Sequence, residues 1–266
     1  MTTVRADAYA PAATLPGLLQ RGRGLGARMA AEDPSAAAAL VYGCVRWDWR
    51  WDRRADDRAR YLARLVRDLE LPVEPVAELL GGGGEASGRA ARVLGLLAPG
   101  GPAPAGHAPA AGAGAGPVGA GCPARPGGRP DDPGARGEAA ELVAALERDW
   151  VERRWCGPLD TARGLARFGP EAKDAVSLLR RFWLWTPHSS ERAGYLEALA
   201  AIDPTGLDAV YVECLWDCED DARLLGIAHA PDGPDVRARL AYLRDDAVEE
   251  RGVRAAAGAR LAALTR

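Results

Sequence analysis

The chain has 266 residues, enough for one large domain or two small ones. Its formal net charge of -3 argues against broad nucleic-acid affinity, which rests on a basic surface that neutralises phosphates. Of its 34 basic residues only Lys173 is a lysine, and asparagine is absent. That is the mark of a GC-rich gene, and it explains the arginine excess without any appeal to function.

The N-terminal stretch "MTTVRADAYAPAATLPGLLQ" lacks the apolar centre of a secretory signal. The longest apolar run, "AAAALVYGCV" at 36–45, is far short of the roughly 20 residues that span a bilayer. The five cysteines, Cys44, Cys122, Cys156, Cys214 and Cys218, are irregularly spaced. Together these features lead to the expectation of a cytoplasmic protein with reduced thiols and no membrane partner.

Helical signals start weakly in "TLPGLLQRGRGLGARMAAEDP" and "SAAAALVYGCV". They strengthen in "RARYLARLVRDL", where Leu62, Leu65, Val66 and Leu69 share one face. Pro72 ends that helix, "PVEPVAELL" starts a short one before Gly81–Gly84, and residues 86–98 form another. The next 40 residues, 98–137, hold 12 Gly, 9 Pro and 11 Ala. Such text has little to bury and reads as a disordered linker, its ends roughly 35 Å apart as a flexible coil. Out-of-frame GC-rich text has the same composition, so a deletion or frameshift scar is the second reading.

Beyond it, Ala139, Leu142, Val143, Leu146 and Trp150 form a stripe, followed by "PEAKDAVSLLRRFWLW" with Pro170 at a helix start. Five further segments reach the C-terminus with breaks every 10 to 18 residues, and none alternates as a strand does. The expectation is an all-α chain in two helical blocks, 1–97 and 138–266, separated by 98–137.

A shift of 134 residues lays "RWDWRWDRRADDRARYLARL" from Arg46 on "RRFWLWTPHSSERAGYLEAL" from Arg180. Trp49 meets Trp183, Trp51 meets Trp185, Arg58 meets Arg192, Tyr61 meets Tyr195, and Leu62 and Leu65 meet Leu196 and Leu199. Asp56 falls opposite Ser190, and both types suit a helix N-cap. Repeated Trp in repeated hairpins is most simply packing, since stacked hairpins complete one another's cores. If 46–51 is helical, Trp47 and Trp51 share a face opposite Trp49. Trp47, whose counterpart is Arg181, is then the candidate surface residue.

"DVRARLAYL" (235–243) and "EERGVRAAAGARLAAL" (249–264) resemble HEAT-type repeats, with Val236-Arg237 and Val253-Arg254 as the shared element. The resemblance covers about 1–97 and 138–266. It implies an α-solenoid that acts as an interaction scaffold for another protein, and it supplies no catalytic residues. Such proteins are usually longer, so middle repeats could be lacking where the linker sits.

Cys214 and Cys218 are a helical turn apart, a spacing that suits a metal only with further ligands such as Cys156 or His229; on an apolar stripe they read as core. His107, His188 and His229 have no evident nucleophile or carboxylate partner, and "GGGGEASG" lacks the Lys-Ser/Thr of a phosphate loop. The acidic runs 217–221 and 244–250 read as solvated helix ends. No metal and no cofactor is expected. The expected contact patch is Trp47, Trp51, Arg58, Trp185, Arg192 and Trp216 on a non-catalytic scaffold. The alternatives are a HEAT-like DNA glycosylase cradling a base among Trp47, Trp49, Trp51 and Asp52, another nucleic-acid-binding repeat protein, or a truncated paralogue of little function.

Overall fold

A computed structural model describes residues 9–53, 55, 56, 58–98 and 133–265, without the side chains of 133–136. The Gly/Pro/Ala-rich stretch, with His107 and Cys122, lies outside these residues from 99 to 132.

The first helices are started by local chemistry. Thr14 Oγ1 accepts from the Gly17 amide at 3.3 Å and Pro16 sits in the first turn of α1 (Leu15–Gln20). Asp33 does the same for Ala36 at 3.0 Å, ahead of Pro34, to start α3 (Pro34–Arg46); α2 (Gly24–Glu32) lies between. Then come α4 (Ala59–Asp68), α5 (Glu74–Ala77), α6 (Gly84–Leu97), α7 (Pro133–Val151), α8 (Pro158–Ala166) and α9 (Val176–Trp185). The chain ends through α10 (Arg192–Ile202), α11 (Asp208–Cys214), α12 (Asp220–His229), α13 (Pro234–Asp245) and α14 (Arg251–Leu264). No strand occurs among the described residues, so the all-α class stands.

The 134-residue register extends beyond the Trp hairpin. It lays α2 on α8 end for end, the first residue of α5 on that of α11, and α4 and α6 on α10 and α12. Along α6 and α12 it pairs Glu85 with Glu219, the residue just ahead of α12, and Arg89 with Arg223 and Val93 with Ile227 within the helices. The second copy continues into α13 and α14, whose counterparts by this shift fall at 100–130.

Two cores result. One gathers Val41, Val45, Leu62, Leu65, Val66 and Val93. The other gathers Leu165, Leu179, Phe182, Tyr195, Leu199, Leu215 and Leu240, with Trp150 and Trp155 edge-on to the Phe182 ring. They interlock: Cys218 of the second copy packs in the first core, and Trp51 of the first packs against the second.

The copies differ at the Trp motif. In the second, α9 stays helical through Trp185, as expected. In the first, α3 ends at Arg46 and Trp47 is extended (φ −106°, ψ 140°), so Trp47, Trp49 and Trp51 do not follow helical facing. Arg89 explains the stop, donating to the terminal carbonyls of Val45 (3.0 Å) and Arg46 (2.6 Å). The capping expectation also needs correction. Arg58 and Glu191 hold the N-cap positions of α4 and α10, without side-chain caps. Asp56 instead reaches across and accepts from the Ser190 amide of the other copy at 3.1 Å.

Candidate functional site: a guanidinium-lined cleft beside a buried ionic seam

The two copies meet along a seam of buried arginines. Arg23 donates to both carboxylate oxygens of Glu213 at 2.7 and 2.9 Å. Arg64 pairs with Asp246 (2.8 Å) and Glu249 (2.6 Å), and Arg223 pairs with Glu249 at 2.8 Å. Arg60 donates to the Val248 carbonyl and to Glu250, both at 2.6 Å. The expectation that 217–221 and 244–250 are solvated helix ends therefore holds only in part. Asp217, Asp246 and Glu249 are buried because guanidiniums replace the water their carboxylates lose, while Glu219 is buried beside the Cys218 thiol. For Asp246 and Glu249, burial alone would raise the carboxyl pKa, but the arginines outweigh it and lower it.

Four of the six expected patch residues belong to this seam or its flanks. Arg192 is 1 % exposed; it grips Asp217 through Nη2 (2.6 Å) and Nε (3.1 Å) and donates to the carbonyls of Arg21 and Gly22. Trp51 is half-buried, edge-on to His188 at 5.7 Å. Trp185 is half-buried, its carbonyl accepting from Arg21 Nε at 3.3 Å. Trp216 lies between the guanidiniums of Arg28 (5.4 Å) and Arg239 (4.8 Å). Trp49 packs on Tyr9 and Trp183 lies under Arg23, both half-buried.

The other two, Trp47 and Arg58, come together. They line a small cleft, open to solvent, with Cys44, Asp48, Trp49, Arg50, Leu62, Arg89 and Arg92 among its walls. Trp47 is 64 % exposed. Asp48 accepts from Arg50 through Nε (2.9 Å) and Nη2 (2.8 Å) and lies 3.3 Å from Arg53. Burial would raise its pKa, yet the Arg50 hydrogen bonds outweigh it and hold the carboxyl at about 2. Burial pushes the Cys44 thiol up to about 12, opposed by Arg58, so it is no nucleophile at neutral pH. Arg58 donates to the carbonyls of Gln20, Trp49 (3.3 Å) and Pro187 (3.4 Å) and lies beside the Tyr9 hydroxyl.

Of the cleft's walls, Trp47 and Arg58 are in the expected patch, and Asp48 and Arg50 flank Trp47 in sequence, the neighbours that make an exposed Trp47 a plausible contact point. Arg89 and Arg92 are not singled out by the sequence. The extended register, which sets Arg89 opposite Arg223, carried the signal for Arg89. Elsewhere, Cys156 Sγ lies 3.5 Å from His188 Nε2, while Cys214 and Cys218 are buried, as core residues are. Burial lowers the His188 pKa against the pull of Asp56 and Asp52. No group of three or more potential metal ligands gathers among the described residues, and no described helix is long and apolar enough to cross a membrane. No family model, curated protein or solved structure matches the chain.

Proposed function

We propose that the chain is a non-catalytic protein-interaction scaffold of HEAT-like hairpins stacked as a solenoid, working in the cytoplasm. The observation that carries this reading is Trp47, a large aromatic left 64 % exposed at the mouth of a structured cleft. An exposed indole beside arginines is the composition of an interface hot spot. Tandem copies of packed helices are in keeping with a repeat scaffold, as are four described cysteines that are all free. The test is selection of a random peptide library on the full chain and, in parallel, on Trp47→Ala. Enrichment of a shared peptide pattern on the parent chain that is lost on the variant is the expected result. No enrichment, or equal enrichment on both, would overturn the reading.

A further inference from the structure

We infer that the cleft beside Trp47 is a carboxylate-binding site that takes an Asp or Glu side chain of a bound peptide. This deepens the scaffold reading and rests on it. The first support is the state of its guanidiniums. Arg58 and Arg89 are 6 % and 7 % exposed, and Arg58 Nε and Arg89 Nη1 are buried without a hydrogen bond. Buried N–H groups of a charged side chain are costly to leave unpaired; Arg89 Nη1 faces the Asp48 carboxylate at 3.5 Å, whereas Arg58 Nε is a donor waiting for an acceptor. Arg92, on the exposed face of α6, adds a third guanidinium to the same wall.

The second support is internal to the molecule, because the duplication provides its own control. In the second copy the equivalents of Arg58 and Arg89 are Arg192 and Arg223, and each holds a carboxylate: Asp217 at 2.6 and 3.1 Å, Glu249 at 2.8 Å. Arg223 Nε also lacks a hydrogen bond, yet its guanidinium is neutralised through Nη2. By the 134-residue shift, the position of Asp217 in the first copy is Gly83 and that of Glu249 is Ala115. Both acids are thus replaced by residues that cannot pair with an arginine. What Asp217 does for Arg192 from within the chain, a ligand carboxylate does for Arg58 from outside it.

The nearby Asp56 charge favours the Arg58 guanidinium, but no carboxylate among the described residues accepts a hydrogen bond from it. Asp48 is bound most closely by Arg50 and forms a longer ion pair, at 3.5 Å, with Arg89. Both Asp56 oxygens accept backbone amides, from Ser190 and Asp52 at 3.1 Å. The α3 carbonyls, which would repel an anion, are covered by Arg89. A planar two-oxygen acceptor matches the guanidinium fork, as Asp217 does on Arg192. Trp47 at the rim then receives an apolar neighbour of the acidic residue.

The experiment titrates the full chain with glutarate and, separately, inorganic phosphate, following tryptophan fluorescence and the NMR signals of the arginine Nε–H groups. Saturable glutarate binding that shifts the Arg58 Nε–H signal, weakened about five-fold or more in Arg92→Gln, is expected; Arg92 is exposed, so this variant keeps the fold. Peptides selected as above should carry an acidic residue next to an apolar one, and glutarate should displace them. No saturable glutarate response, tighter binding of phosphate than of glutarate, or unchanged binding in Arg92→Gln would overturn the inference. Selected peptides without acidic residues that glutarate does not displace would refute the carboxylate site and leave the scaffold reading intact. Glutarate binding without any peptide enrichment would do the reverse.

Discussion

Asp56 and Ser190 occupy the same place in the two copies, and they touch: the Ser190 amide donates to Asp56 Oδ1 at 3.1 Å across 134 residues of chain. The other Asp56 oxygen accepts from the Asp52 amide at 3.1 Å, so one carboxylate braces its own turn and the start of the partner copy's helical segment. Asp56→Ala leaves two amides without acceptors at a site 1 % exposed. The expected cost is about 2–4 kcal/mol of unfolding free energy, read by urea denaturation. Asp56→Asn keeps one acceptor oxygen and should lose less than half as much. Equal losses would mean that the bracing is purely one of shape.

The short "RGRG" segment at 21–24 threads against the turn between α11 and α12, and glycine is needed there for space. A Cβ at Gly24 would stand 1.9 Å from the Glu213 carbonyl oxygen and 2.9 Å from its carbon, backbone atoms that cannot rotate away. Gly24→Ala is expected to cost about 3 kcal/mol or more, while loosening the Arg23–Glu213 pair next to it. Gly43, inside α3, is the control, because a Cβ there would meet nothing within 4 Å. Gly43→Ala should be neutral or stabilising by roughly 0.5–1 kcal/mol. Similar thermal midpoints for the two variants would show that the 21–24 segment is not clamped.

The helices were legible because their apolar spacing follows the period of the backbone. Leu62, Leu65 and Val66 are predicted on one face and are buried together. The Trp motif was equally plain, since tryptophan is rare enough for its spacing to be noticed. The seam was not legible. In an arginine-rich chain a buried Arg64 reads like a solvated Arg163, and only its distant partners Asp246 and Glu249 distinguish it. Those partners lie more than 180 residues away, beyond any local pattern. The cleft was half legible: Trp47 stood out by lacking an aromatic counterpart, but Arg89 took its meaning from where α3 stops. That stop depends on a contact between helices, which periodicity does not encode.

Glu219 gives the fold a dependence on pH that runs opposite to acid unfolding. Burial raises its carboxyl from an ordinary 4.5 to about 7, countered by Ser189 and Arg192 and reinforced by Asp56 and Asp217. The Cys218 thiol donates to its Oε1 at 3.4 Å, a weak partner for a charge. The folded state therefore binds a proton more tightly than the unfolded chain does. Its contribution is fully present below the unfolded value near 4.5 and is lost as pH rises through about 7. Glu219→Gln removes the charge while keeping the shape, so the variant should gain on the parent chain as pH rises from 5 to 8. The full difference is on the order of a few kcal/mol. Glu191, also raised to about 7 by burial, is present in both proteins and cancels in the comparison. Thermal midpoints measured side by side at pH 5, 6, 7 and 8 provide the check: a widening gap is expected, and a constant gap would mean that Glu219 does not change its proton occupancy on folding.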